Sequence, residues 1–168
     1  MSLDRLSSLN IMDANAVIHY INTELNKLIC IVGVSEDFID FNTNFSAGRV
    51  PAIPLYDFVK RIVNYSPCSL EAIFVFLVII KRLKLYNGPL FINQYTIHRI
   101  VIVGILIATK YQDDIFYNNK FYARIGGVSV REINKLEIEF LSRVRFDLYV
   151  GEKEEEASLK RFRDLLLS

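Results

Sequence analysis

Two histidines, two cysteines and a net charge of only +1 leave this sequence with little of what catalysis, disulfide scaffolding or nucleic-acid binding usually draw on. His19 and His98 lie far apart, and neither belongs to a nucleophile or metal motif such as G-x-S-x-G or H-E-x-x-H, so each reads as structural or surface. A phosphate-cradling G-x-x-x-x-G-K-[ST] is also missing, and Gly126 with Gly127 reads as a helix terminator. No catalytic residue, cofactor or metal ligand is therefore expected. Cys30 and Cys68 have neither metal-ligand spacing nor the density of a secreted disulfide scaffold, and are expected to be buried thiols of an intracellular protein, cytoplasmic or nuclear. The N-terminus lacks a signal peptide's basic stretch followed by an apolar one. The near-neutral charge gives no electrostatic reason to expect nucleic acid or an anionic membrane as the main partner.

Long apolar runs are lacking too. Ala72 to Ile80 and Ile100 to Ala108 are nine residues each and end at Lys81 and Lys110, whereas a bilayer needs about 20 predominantly apolar residues. They read as core helices. What the chain does have is 52% hydrophobic residues against 23% charged ones in 168 residues, enough for one domain with a sizeable core.

The apolar periodicity is helical throughout, so the expected fold is all α. Ile11, Ala14, Ile18, Ile21, Leu25, Leu28 and Val32 recur every three or four residues and predict an amphipathic helix from Ile11 to Val32. Ser35 to Pro54 reads as an extended crossover pinned by Phe38, Phe41 and Phe45. Pro54 suits the first turn of a helix to about Tyr65, with Leu55, Phe58, Val59 and Ile62 inward. After Ser66 and Pro67, a helix from about Cys68 to Leu85 stops before Asn87, Gly88 and Pro89. The apolar helix through Ile100 to Ala108 has no polar face and must be surrounded by other helices. A polar turn from Asp113 to Asn119, a short helix from Lys120 to Ile125 and a helix to about Val144 follow. Ser129 and Glu132 have the spacing of a capping box for that last helix. Phe146 to Val150 is at most one short strand, and Leu159, Phe162, Leu165 and Leu166 predict a closing amphipathic helix.

Three charged features invite a functional reading. Asp113 with Asp114 could act as a metal or acid–base pair, but adjacent residues on a helix point apart, and helix-end chemistry accounts for them better. Glu152 to Glu156 reads as a solvated helix start, where negative charge suits the dipole. Lys110, where the apolar helix should reach the surface, and Glu137 on the next long helix would each most often be an ordinary surface charge. If they converge, they form a recognition site and not a catalytic one.

The order of these segments resembles a cyclin box from about Pro51 to Val150. In that box five helices surround a central apolar third helix that ends in alanine, a small residue, lysine and an aromatic, here Ala108, Thr109, Lys110 and Tyr111. The fifth helix carries a hydrophobic residue and glutamate about ten residues before Phe-Asp-Leu, here Leu136, Glu137 and then Phe146, Asp147, Leu148. The stretch AxKYxDDxxYNNxxYAxxGGVSxxExNxLExEFL, from Ala108 to Leu141, is similar to the P-type and U-type cyclins, the PHO group. The implied organisation is a helix and crossover in 1–50, a single cyclin box in 51–150 and a closing helix in 151–168.

The resemblance implies an activating subunit of a cyclin-dependent protein kinase, with no chemistry of its own. Lys110 and Glu137 would be the polar clamp on the kinase's mobile C-helix region, with Ile107, Tyr111, Leu141, Phe146 and Leu148 at the matching apolar positions. A kinase needs its sheet lysine paired with a C-helix glutamate to hold ATP phosphates. A partner that binds only the inward C-helix therefore shifts the population toward activity, by no more than its differential affinity. Which kinase, and whether phosphate metabolism or division is served, stays open. Many cyclins pair an arginine of the first box helix with an aspartate of the second, where this chain has Ala52 and Lys81. With that arginine gone, docking of Arg-x-Leu substrate motifs beside Leu55 and Phe58 is not assigned. Two rivals remain: a cyclin-fold transcription or nucleic-acid module, which the scattered Lys60, Arg61, Lys81, Arg82, Lys84, Arg143 and Arg145 do not favour, and a kinase-binding protein that sequesters instead of activating.

Overall fold

The computed structural model describes residues 13–33, 42–66 and 68–168. Within them the chain is all α: α1 (Ala14–Asn26), α2 (Leu55–Tyr65), α3 (Leu70–Asn87), α4 (Ile97–Gln112), α5 (Asn119–Gly126), α6 (Val130–Arg143) and α7 (Glu152–Leu166). The one departure among the described residues is an isolated parallel bridge between Cys30 and Asn93. Phe146 to Val150 forms no strand.

The apolar runs become the centre. Every residue from Ala72 to Ile80 and from Ile100 to Thr109 is buried. A helix with no polar face has to be enclosed, and α4 is packed by α2, α3, α5 and α6. Gly104 makes the closest approach possible: a Cβ there would lie 2.7 Å from the Phe76 ring, so any larger residue would push α3 and α4 apart. Among the described residues no helix is long and apolar enough to cross a membrane.

Local chemistry sets most helix ends. Asp13 caps α1 by accepting from the Asn15 N–H, Ser69 caps α3 through the Ala72 N–H and Asn118 caps α5 through the Phe121 N–H. Gly127, at φ 68°, ends α5 in the left-handed region. At α6 the expected capping box forms: the Glu132 N–H donates to Ser129 Oγ at 3.0 Å and the Ser129 N–H to Glu132 Oε2 at 2.7 Å. Those bonds hold the Glu132 carboxyl below its ordinary pKa.

Two expectations are corrected. The first helix does not run to Val32. It stops at Asn26, and the chain then extends so that the Cys30 N–H donates to Ile92 O at 2.9 Å while the Gln94 carboxamide brackets Val32, accepting from its N–H and donating to its O. The helical spacing of Leu28 and Val32 is satisfied by an extended segment lying on the core. Ile11 lies outside the described residues, as do Phe38, Phe41 and Pro67. Phe45 does pin the crossover: it is fully buried, with the Phe91 and Phe140 rings 6.0 and 6.2 Å away. Cys30 and Cys68 are free but only half-buried, because both sit in connecting segments at the edge of the bundle; burial pushes the Cys68 thiol up to about 11.

α7 closes the bundle as its periodicity predicts, with Leu159 and Phe162 buried, Leu165 packed against the core and Leu166 exposed. The Tyr20 hydroxyl of α1 donates to Ser158 O at 3.1 Å, and its ring meets Phe162 at 5.1 Å. Beside this contact lies Glu24 of α1, only 3% exposed, which receives Lys27 at 2.6 Å, Lys81 of α3 at 2.9 Å and Arg161 of α7 at 3.6 Å.

Candidate functional site

The C-terminal end of α4 is tied down from inside before it reaches solvent. Thr109 is fully buried; its hydroxyl donates back to the helix at Ile105 O (3.0 Å) or Leu106 O (2.9 Å) and meets the Tyr122 hydroxyl of α5 at 3.2 Å. Tyr122 in turn meets Ser66 Oγ, at the end of α2, at 3.1 Å. Burial raises the Tyr122 pKa, so the phenol stays protonated. Asp113 caps α4, and its carboxylate accepts the Ser69 hydroxyl and, at 3.1 Å, the Ser69 N–H at the start of α3. The helix-end reading of Asp113 thus has a geometric basis.

Lys110 follows Thr109 in the last turn of α4, and there the two sequence-predicted charges meet. Lys110 Nζ lies 2.7 Å from Glu137 Oε1. A third residue joins them: Lys110 also donates to Asn119 Oδ1 at 2.6 Å, while Asn119 Nδ2 donates to Glu137 Oε2 at 2.8 Å and to Asn134 Oδ1 at 2.7 Å. On α6, Asn134, Glu137 and Leu141 fall at i, i+3 and i+7, one face of the helix. The Lys110 and Glu137 side chains remain 30% and 17% exposed. An ammonium carries three donors and a carboxylate about four acceptor positions. Two of the former and two of the latter are used inside the chain, which leaves capacity for an incoming carbonyl or amide.

The expected apolar positions divide by depth. Tyr111 is 47% exposed and Phe146 69%. Leu141 and Leu148 are half-buried against the core. Ile107 is not at the surface: at 3% exposure it lies in the core, because α4 is enclosed for its whole apolar length. Sequence reasoning missed the exposed Ile115, Phe116 and Tyr117 of the α4–α5 turn and Ile138 beside Glu137. An apolar tripeptide inside an otherwise polar turn was the available signal.

Phe146 is presented by a strained turn. Arg145 and Phe146 adopt φ of 58° and 55°, which costs roughly 1–2 kcal/mol per non-glycine residue. The turn is held from both sides. The Phe146 N–H donates to Leu141 O at 2.8 Å, the Arg82 guanidinium grips Asp147 at its carbonyl (2.8 Å) and carboxylate (3.2 Å), and the Tyr86 hydroxyl donates to the other carboxylate oxygen at 3.0 Å. Arg145 stacks over the Tyr86 ring at 4.5 Å.

The remaining sequence candidates are structural or at the surface. His98 Nε2 bonds Ile53 O at 2.8 Å, its ring packs on Phe58, and burial lowers its pKa. His19 is exposed. Lys81, where an aspartate is common in the resembled family, pairs with Glu24, and Ala52 is exposed. Among the described residues no group of three or more His, Cys, Asp or Glu is placed to hold a metal.

A family model described as Cyclin matches residues 19–148. Relatives include Cyclin-U4-3 of Arabidopsis thaliana, 34% identical over 108 residues (64% of this chain, 49% of the relative). Cyclin-P3-1 of Oryza sativa subsp. japonica is 33% identical over 143 residues (77% and 60%). The PHO85 cyclin-like protein psl1 of Schizosaccharomyces pombe is 34% identical over 125 residues (74% and 50%). The chain thus spans about half the length of most of these relatives, and 60% of the rice protein.

Proposed function

Because the chain belongs to the cyclin family, we propose that it is a non-catalytic regulatory subunit that binds a cyclin-dependent protein kinase through the Lys110–Glu137 face and activates it by holding the kinase C-helix inward. The observation that carries this reading is the half-open ion pair, with spare donors and acceptors, flanked by exposed apolar side chains that nothing in the described chain covers. A desolvated polar centre inside an apolar surround is the usual arrangement of an interface hot spot. In this reading residues 51–150 form the box, and α1 and α7 brace it from the side that carries Glu24.

Lys110 would donate to carbonyls freed at the end of a kinase helix or loop, and Glu137 would accept from backbone amides. Tyr111, Leu141, Phe146 and Leu148 would exclude water around them, and Ile107 would keep α4 rigid below. Activation then follows from selection of the C-helix-in state, which aligns the phosphate-holding lysine–glutamate pair of the kinase. The nucleic-acid alternative loses ground to the internal use of five of the seven basic residues it would draw on. Lys81, Arg82 and Arg143 pair with carboxylates, Lys84 donates to Leu28 O, and Arg145 stacks on Tyr86.

The test mixes the purified chain with a panel of recombinant cyclin-dependent kinase catalytic subunits and follows co-elution and phosphorylation of a generic peptide. Co-elution with at least one kinase and a rise in its activity are expected. Co-elution with a fall in activity supports sequestration, and a salt-sensitive DNA shift without kinase binding supports the nucleic-acid alternative.

A further inference from the structure

Asn119, at the first position of α5, is in contact with both charges of the clamp and lies within the stretch that carries the family resemblance, yet that resemblance gives it no role in kinase binding. Its hydrogen-bonding capacity is directed inward. Oδ1 accepts from Lys110, and Nδ2 donates to Glu137 and to Asn134. A carboxamide has two donor hydrogens and one acceptor oxygen, so both donors are engaged within the chain. The amide orientation is fixed by its neighbours: the flipped form would turn Nδ2 toward an ammonium and Oδ1 toward a carboxylate.

The helix does not need this side chain. Capping of α5 is done by Asn118, whose Oδ1 accepts from the Phe121 N–H at 3.0 Å. The clamp does need it, because Lys110 and Glu137 are long, rotatable side chains at the surface, and an unrestrained pair of that kind holds no single geometry. The carboxamide accepts from Lys110 and donates to both Glu137 and Asn134; a hydroxyl, with a single donor hydrogen, could serve only one of the last two, and a second carboxylate would set a negative charge against Glu137 Oε2.

We infer that Asn119 is a positioning residue of the kinase-binding clamp, holding Lys110 and Glu137 in the geometry that the kinase reads while itself facing away from the partner. The inference rests on the kinase-binding reading above. It assigns the affinity effect of Asn119 to preorganisation: ordering that would otherwise be lost on binding is already in place in the free chain.

The test measures affinity for a kinase subunit that binds the wild-type chain, using wild type, Asn119→Ala and Asn119→Asp, with a melting curve for each. Asn119→Asp is the decisive variant, because an acidic residue in the first turn suits the positive end of α5 and should not lower the melting temperature. Its affinity is expected to fall about tenfold at neutral pH. The loss should shrink relative to wild type as pH falls toward about 4, where the introduced carboxyl takes up a proton. Asn119→Ala should weaken binding with no such recovery. Asn119→Asp binding as tightly as wild type, or losing affinity only in step with its melting temperature, overturns the inference alone. A wild-type chain that binds no kinase overturns the functional reading together with it.

Discussion

Two glutamates show opposite uses of the same pairing chemistry. Glu24, on α1, is 3% exposed and surrounded by Lys27, Lys81 and Arg161, cations from the end of α1, from α3 and from α7. Burial pushes its pKa up, but the hydrogen bonds and charges of Lys27 and Lys81 outweigh that and hold it below the ordinary value. Glu137, on α6, is 17% exposed and meets one cation and one amide. The first carboxylate is enclosed and joins α1, α3 and α7; the second is left half-open, among apolar side chains that also face solvent. Enclosure marks an ion pair that holds the architecture together, whereas spare capacity marks one with something left for a partner.

The largest expected effect comes from breaking the enclosed side of this comparison. Glu24→Ala removes the enclosed carboxylate that joins three partly exposed cations and should lower unfolding free energy by roughly 2–3 kcal/mol in denaturant titration; a loss below about 1 kcal/mol would mean the cluster behaves like a surface pair. Phe146→Gly sharpens the open side, because its two effects have opposite signs. Relief of the left-handed strain should raise stability by up to about 1 kcal/mol, while loss of the exposed ring should weaken kinase binding by about 1–2 kcal/mol. If both quantities fall together, Phe146 is a packing residue and not a contact.

The smallest effect is in the pH dependence. Glu24, Glu132 and Glu139 all have pKa values below the ordinary 4.5; for Glu139, burial opposes this but hydrogen bonds from Thr43, Asn44 and Arg143 prevail. A carboxylate with a depressed folded pKa adds stability that is fully present above its unfolded value and is lost as pH falls through the folded one. Melting temperature should therefore be highest between about pH 7 and 8, decline slightly below about pH 6.5 because burial opposes protonation of His98, and decline further below about pH 5 as the carboxylates titrate. Glu139→Gln should remove about 1 kcal/mol at neutral pH and flatten that acid decline. An equally steep decline in the variant would show that Glu139 does not contribute to it.

Much of this was legible because local rules decided it. Ser129 and Glu132 announced α6, Gly127 announced the end of α5, and the apolar run through Ile100 to Ala108 announced an enclosed helix. The same run hid what Ile107 does: a helix apolar on every side carries no information about which residue reaches the surface. The end of α1 was misjudged because helical spacing at Leu28 and Val32 also serves an extended segment on the core. The three partners of Glu24 and the bridging role of Asn119 depend on contacts between residues distant in sequence. The left-handed turn at Arg145 and Phe146 has no glycine or asparagine to announce it, since Arg82, Tyr86 and Asp147 enforce it from outside.

The most direct test is calorimetric titration of a cyclin-dependent kinase catalytic subunit into wild-type chain and Lys110→Ala, with melting curves on the same samples. A loss of about 2–3 kcal/mol in binding, roughly thirtyfold or more, with an almost unchanged melting temperature is predicted, because the pair is half-open and adds little to folding. Equal affinity of the two proteins for the kinase would contradict the assignment of this face as the kinase-binding site.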